Sequence, residues 1–444
     1  MPPHPSLQSH YDVVIVGGRP AGASLAARLG AHHISTLVVD RARFPSMPAV
    51  PSCAMLYPHH MRMVEELGID EDAFLDPSAR CRRFVVEVDG RFDAVLPMIE
   101  SNGRDYVGGI DRDRFDHCLW RNLERHGSVT GSEATSLLDV RRDEAGAVCG
   151  VRLRTPDGSV RDVAARCVVG ADGRFSTLAR KVGAQARESF DLTSTAHFAT
   201  WEGVLPHDDA DELTVSIYAT GRGFDVLFFP APGGRIHVCT HVRSDRMRSE
   251  GSVEDYYLRT IQSLPTVRRR LEPATRLTDV VGVKRIANGY REPGGAGWVL
   301  VGDALHYKDP IDGQGIYDAL LGAKLLAEEL VAWHEGAQSL AQAVAAYDRR
   351  LLDQTHPMYE ATTKRIQREL YDEPPSLVLD TLVRWTMNDP VYKRRFLEYL
   401  CRAIPPQTWL TPTVTAGAIA RGIYGDLRRL LPRRRAPAGV PSRR

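Results

Sequence analysis

The stretch Val16-Gly17-Gly18-Arg19-Pro20-Ala21-Gly22 restricts the fold of this chain more tightly than any other part of it. Residues 11–16 form a short β-branched run that stops at Gly17-Gly18, and residues 21–30 are small, with leucines at helical spacing. A second apolar run, 36–39, ends in Asp40. Strand, glycine turn, helix and second strand make a βαβ unit at the start of the chain. In such units the first glycine makes the tight turn, the middle one lets the backbone approach a pyrophosphate, and the third lets the helix pack closely. Gly17 and Gly22 fit, with Gly18 and Ala21 beside them, while Arg19 stands at the middle glycine position. The helix N-terminus still attracts an anion. Asp40, followed by Arg41, is placed to accept from ribose hydroxyls.

The rest of the chain splits this unit in two. Residues 114–125 read as a helix, 134–140 and 148–154 as a strand pair closed by a turn at 143–146, and 167–169 as a further buried strand. From 193 to 241 apolar and polar residues alternate, which predicts an antiparallel sheet. A short parallel-type strand returns at 298–301, followed by a glycine-containing turn and a helix over 315–334. Past Pro357 the pattern is helical, broken at Pro374-Pro375 and Pro405-Pro406. The expected architecture is α/β, a discontinuous Rossmann-like domain with an antiparallel-sheet substrate domain and a helical C-terminal region. The expected boundaries are 10–185, with a substrate-domain excursion near 80–105, then 186–282, 283–355, 356–430 and a basic tail at 431–444.

Composition narrows the partners. A net charge of +1 gives no field that favours nucleic acid. The seven cysteines form no CxxC pair and no zinc-ligand spacing with histidines, so no metal site is expected. No apolar run approaches the ~18 residues of a membrane-spanning helix, and the first ten residues read as neither signal nor anchor, so a cytoplasmic location is expected. The arginine- and proline-rich tail reads as a solvated segment, with a weak membrane-surface contact as the alternative. Residues 416–431 before it are amphipathic, and their apolar face is expected to dock on the protein body. Oligomeric state is not legible.

Two further motifs carry chemistry. Gly170-Ala171-Asp172-Gly173-Arg174-Phe175-Ser176 follows the strand at 167–169 and, on its own, is an ordinary Asp-Gly turn. Gly302-Asp303-Ala304-Leu305-His306, then Pro310, Gly313, Gly315 and Ile316, lies between a strand and a long helix. Such a turn offers backbone N–H groups to an electron-rich ligand atom, and Asp303 offers an acceptor for a polyol.

In this order and spacing the three motifs resemble the FAD-dependent monooxygenases of the para-hydroxybenzoate hydroxylase type. The resemblance covers roughly residues 11–352 and includes Arg112-Asp113-Arg114-Phe115-Asp116, similar to a helix start whose arginine reaches the FAD phosphates. It implies that Gly17, Gly18, Arg19, Ala21, Gly22, Asp40, Arg41 and Arg112 hold the adenosine diphosphate half of FAD. Asp172 and Gly173 would serve FAD and NAD(P)H, while Gly302 and Asp303 would serve the ribitol. Pro310, Gly313, Gly315 and Ile316 would lie against the isoalloxazine. It further implies NAD(P)H as co-substrate and transfer of oxygen from O2 to a small aromatic or unsaturated substrate through a flavin C4a-hydroperoxide. His306 is then the acid/base candidate beside the ring, with Pro310 next to it. Tyr57, Tyr218 and Phe228 are candidate substrate contacts. The sequence departs from the family at Arg19, at Arg180, which falls one place late, and at Tyr317 and Gly322.

Three competing readings remain. A flavin halogenase shares the fold but carries a WxWxIP element, which residues 199–204 lack, and an early lysine, whereas the first lysine here is Lys181. A geranylgeranyl-reductase-like enzyme that reduces carbon–carbon double bonds is the stronger alternative, because Gly313-Gln314-Gly315-Ile316 and residues 323–329 resemble it. The third is a binding scaffold without activity.

Overall fold

The structure is a computed structural model that describes residues 7–49, 54–210, 212–247 and 252–430, so Cys53 and the basic tail at 431–444 lie outside the described residues. β1 (His10–Val16) pairs in parallel with β2 (Thr36–Val39) on one side and with the strand Val160–Gly170 on the other. Trp298–Leu300 joins in parallel beside Val160–Gly170, and Val129–Ser132 joins beside β2. The strand at 298–300 is far along the chain yet pairs within this sheet, between Val160–Gly170 and the short edge strand Gly294–Gly295, so the nucleotide-type domain is discontinuous. Its strands read as continuous apolar runs because both faces are covered. α1 (Pro20–Ala31) packs on one face, where a Cβ at Gly22 would lie 1.8 Å from the Gly17 carbonyl oxygen. Gly17 itself has φ +107, a conformation that favours glycine. The expected strand pair is present as Ser136–Arg142 and Val148–Arg154, antiparallel on the edge of this sheet. α2 (Pro58–Glu65), α3 (Arg112–Arg121) and α4 (Thr177–Val182) complete this part.

The second, nine-stranded sheet is antiparallel apart from the parallel pair Thr214–Ala219 and Arg83–Val88. Its strands at 83–88 and 92–97 come from the early excursion, and Ala186–Glu202 runs through its centre. Side chains alternate between the two faces with period two. Val215, Phe229, Cys239 and Val283 point to one face, packed against the C-terminal helices. Tyr218, Val226, Phe228 and Val238 point to the other, beneath α5 (Val253–Gln262) and α6 (Pro265–Leu271).

α7 (Gly315–His334) returns across the first sheet, and α8 (Leu340–Ile366) continues through Pro357 toward the second. The C-terminal region consists of α9 (Ser376–Val378), which runs through a π turn into α10 (Arg384–Asn388), then α11 (Pro390–Leu400) and α12 (Pro412–Leu430). The α10–α11 junction is sharp because Pro390 removes a backbone donor while the Asp389 side chain accepts from the Tyr392 N–H.

Candidate active site

The three sequence motifs leave three neighbouring strands at their carboxyl ends. The Ala171 N–H donates to the Val16 carbonyl, the Gly17 N–H to Val39 and the Val301 N–H to Gly170, each at 2.8–2.9 Å. In an open α/β sheet this edge is where ligands bind. A cleft of about 580 Å³ opens there, lined by Gly17, Arg19, Ala21, Asp40, Arg41 and Arg112 toward one end. Asp172, Gly173, Asp303, His306, Pro310, Gly313, Gly315 and Ile316 line the remainder. Gly18, Gly22 and Gly302 do not line it; they allow its walls to approach. A Cβ at Gly18 would sit 2.3 Å from the Trp120 ring, and one at Gly302 2.8 Å from Ala21 Cβ.

At the first end the charges are arranged around a buried carboxylate. Asp116 accepts from Arg19 Nη1 at 2.5 Å and from Arg112 Nε and Nη2 at 3.1 Å. Two guanidinium groups on one carboxylate leave positive charge beside α1, whose N-terminus has no side-chain cap. Arg19 reaches this position because its side chain turns out of the glycine loop, donating also to the Ser46 carbonyl at 3.1 Å. Asp40 accepts from the Gly18 N–H and the Ala42 N–H at 2.8 Å, so its carboxylate shapes the loop as well as facing the cleft. Asp172 accepts from the Thr177 and Leu178 N–H groups and caps α4.

At the far end the structure assembles a network that the sequence gives no sign of. Lys308 Nζ lies 2.5 Å from Asp318 Oδ2, and Arg402 Nη2 donates to Asp318 Oδ1 at 2.8 Å. Arg402 Nε donates to Gln314 Oε1, which also lies 3.1 Å from His59 Nε2. Burial alone would raise the Asp318 carboxyl, but the Lys308 and Arg402 charges outweigh it and hold it at about 2. Arg174 Nη2 donates to the Lys308 carbonyl at 2.8 Å and ties the second motif to the third. Next to it, burial raises the cost of charge on Asp309, yet His241 Nε2 at 3.0 Å keeps that carboxyl below its usual range.

Several expectations need correction. Tyr218 and Phe228 face α5 and α6, away from the cleft; the Tyr218 hydroxyl accepts from Arg270 Nη1 at 2.7 Å, and the Arg270 guanidinium lies over the Phe228 ring. Alternation along a strand defines two faces without saying which one meets the ligand. Tyr57 does not line the cleft but packs behind it, stacked near His59, His60 and Phe84. His59 and His60 are buried with it. His306 does line the cleft, stacked on Tyr290 with ring centroids 4.1 Å apart. Burial pushes its pKa down to about 3, so the ring is neutral near pH 7. Lys308, Asp309, Asp318 and Arg402 are the residues that sequence reading missed.

The cleft fits FAD on its own geometry. A Cβ at Gly173 or Gly315 would meet no atom within 4 Å, so the backbone there borders open space that a flat ring can approach. Neither ring nitrogen of His306 has a hydrogen-bond partner among the described residues. A discontinuous α/β sheet with a pyrophosphate-ready helix at one end and glycine-lined open space at the other defines an FAD-dependent oxidoreductase. The sequence pattern of the FAD binding domain family matches residues 10–358, and the chain belongs to that family.

The relatives divide between two chemistries. The chain is 26% identical to the digeranylgeranylglycerophospholipid reductase of Methanocella arvoryzae over 81% of this chain and 88% of that one. It is 24% identical to the pentachlorophenol 4-monooxygenase of Sphingobium chlorophenolicum over 80% of this chain and 66% of that one. Among solved structures, the flavin-dependent brominase Bmp2 superposes with a TM-score of 0.75 at 21% identity, covering 94% of this chain and all (100%) of that one. A geranylgeranyl bacteriochlorophyll reductase-like protein from Thermoplasma acidophilum gives 0.72 at 18% identity, covering 95% and 100%. At these identities the structures share the fold. Trp201, from the stretch compared with the halogenase element, donates through Nε1 to the Tyr257 hydroxyl at 3.0 Å beneath α5, away from the cleft.

Proposed function

We propose that the protein is a flavin monooxygenase that uses NAD(P)H and O2 to hydroxylate or epoxidise a small aromatic or unsaturated substrate. The observation that carries the reading is the make-up of the far end of the cleft. Pro310, Gly313 and Gly315 share it with Val283 and Ile286 of the second sheet, beside the ion-paired Lys308 and Asp318, and the apolar part of this wall would exclude water that competes with oxygen transfer. Bound FAD would take two electrons from NAD(P)H and pass them to O2, one oxygen atom entering the substrate and the other leaving as water. Arg19, Arg112 and the N-terminus of α1 would bind the pyrophosphate; Asp40 and Asp303 would accept from ribose and ribitol hydroxyls. The N-terminus of α7, which lines this end of the cleft, would stabilise negative charge on a bound ring when it is reduced. His306 acts here as a neutral hydrogen-bonding wall. Asp303→Ala is expected to abolish FAD retention through purification while the fold persists; normal flavin occupancy in that variant would sink the assignment.

The reductase reading is favoured by the digeranylgeranylglycerophospholipid reductase of Methanocella arvoryzae, matched over 88% of its length against 66% for the monooxygenase of Sphingobium chlorophenolicum. One experiment separates the two. The reduced enzyme is mixed with ¹⁸O2 and a panel of phenolic and polyprenyl compounds. A product carrying one ¹⁸O atom supports oxygen transfer, whereas a product that gains two hydrogens and no ¹⁸O supports double-bond reduction and overturns the proposal.

A further inference from the structure

α12 is inverted relative to an ordinary surface helix. Its polar and small residues face the protein: Asp426 accepts from Arg384 Nη2 at 2.5 Å and from Trp385 Nε1 at 2.9 Å, and Arg421 Nε donates to Asp389 at 2.6 Å. Gly422 packs against the Trp385 ring, and Ala418 is fully buried. Beside the buried Ala418 and the half-buried Val414 and Ile419, a second set of its apolar residues faces outward. Ala416, Ala420, Ile423, Tyr424 and Leu427 are exposed at spacings of three and four, so they form one stripe along the helix. Tyr424 is 65% and Leu427 57% exposed. Leu377 and Leu382 of the neighbouring α9–α10 segment are exposed too. The expectation that the apolar face docks on the body is therefore met only in part: Ala418 is buried and Val414 and Ile419 are half-buried, ion pairs also hold the helix, and the outer stripe stays exposed.

We propose that this stripe, with the arginines that flank and follow it, docks on an anionic phospholipid surface. Arg428 borders the stripe on one side; Arg421 on the same side is already paired with Asp389. From residue 427 to the end of the sequence there are seven arginines and no carboxylate side chain. A stripe of aliphatic and aromatic side chains beside such a cationic run matches an interfacial helix, whose apolar face enters the acyl boundary while its cations meet lipid phosphates. A second copy of the chain is the poorer occupant. Closed two-fold symmetry sets the same patch against itself and brings arginine against arginine. The surface would give the enzyme access to membrane-dissolved apolar compounds, and it stands whether the cleft carries out oxygenation or reduction.

The test is co-sedimentation of the FAD-loaded protein with vesicles of phosphatidylglycerol and phosphatidylcholine, compared with phosphatidylcholine alone. Wild-type protein is expected to pellet with the anionic vesicles, about tenfold or more weakly without them, and less at high salt. The Tyr424→Asp/Leu427→Asp pair should lose at least about tenfold in vesicle affinity while retaining its flavin, which reports an intact fold. Arg433→Ser/Arg434→Ser/Arg435→Ser should remove most of the salt-sensitive part. The proposal is overturned if wild-type protein stays in the supernatant with both vesicle types or if the double aspartate variant binds undiminished. It is also overturned if wild-type protein sediments as a dimer, without vesicle binding, and that variant as a monomer.

Discussion

Asp318→Leu is expected to cost about 3–5 kcal/mol of folding stability, because it leaves two buried cations without their counter-charge. The Asp318 side chain is 7% exposed, and Lys308 and Arg402, 3% and 10% exposed, contact its two oxygens. Taking Lys308 and Arg402 out with it, in Lys308→Met/Asp318→Leu/Arg402→Met, should recover most of the loss, since apolar groups of similar volume need no counter-charge. Urea denaturation at one fixed FAD concentration checks both, because flavin bound to the folded state adds its own stabilisation. A cost under about 1 kcal/mol for Asp318→Leu would show that water or backbone already screens the cations. The pH dependence follows from the direction of the shift. Asp318 titrates at about 2 in the folded protein, below the ~3.9 of an unfolded aspartate, so its contribution is complete above that unfolded value. It is lost as pH falls from about 4 toward 2, and the Asp318→Leu variant should show a flatter acid limb over that window.

What the sequence made legible was local. The glycine loop at 17–22 and the turns at 170–176 and 302–315 each sit where an apolar strand meets a helix, and that junction has its own composition. The strand at 160–170 pairs in parallel with 10–16 on one side and 298–300 on the other, which is how three loops far apart in the chain come to share one cleft. The charged network at its far end was not legible, because nothing local specifies it. Arg402 meets Asp318 across 84 residues, and His59 meets Gln314 across 255. The helical C-terminal region carries no site motif in its sequence, yet it places the Arg402 side chain under the first turn of α7. Tyr218 and Phe228 failed for a different reason. A strand's period separates two faces, and only the partners packed on each decide which face meets a ligand. The same ambiguity affects α12, whose inner face is held by Asp426 and Arg421 as well as by the buried Ala418, while Ile423, Tyr424 and Leu427 lie outside.

Gly315→Leu tests the flavin site without disturbing the fold. Gly315 opens α7, and a Cβ there meets no atom within 4 Å, so the scaffold has room for the new side chain. Leucine also has a better helix propensity than glycine, so stability should hold or rise slightly. The added isobutyl group instead projects into the cleft that Gly315 lines with Pro310 and Gly313. If the ring lies against that backbone, FAD affinity should fall by about a hundredfold or more, and the variant should purify colourless with an unchanged denaturation midpoint of its apoprotein. Gly17→Leu makes the contrast. A Cβ at that position would already be 2.4 Å from the Ala171 carbonyl oxygen, so this variant should lose fold and flavin together. Full flavin retention by Gly315→Leu would place the ring elsewhere in the cleft and remove α7 as the source of its charge stabilisation.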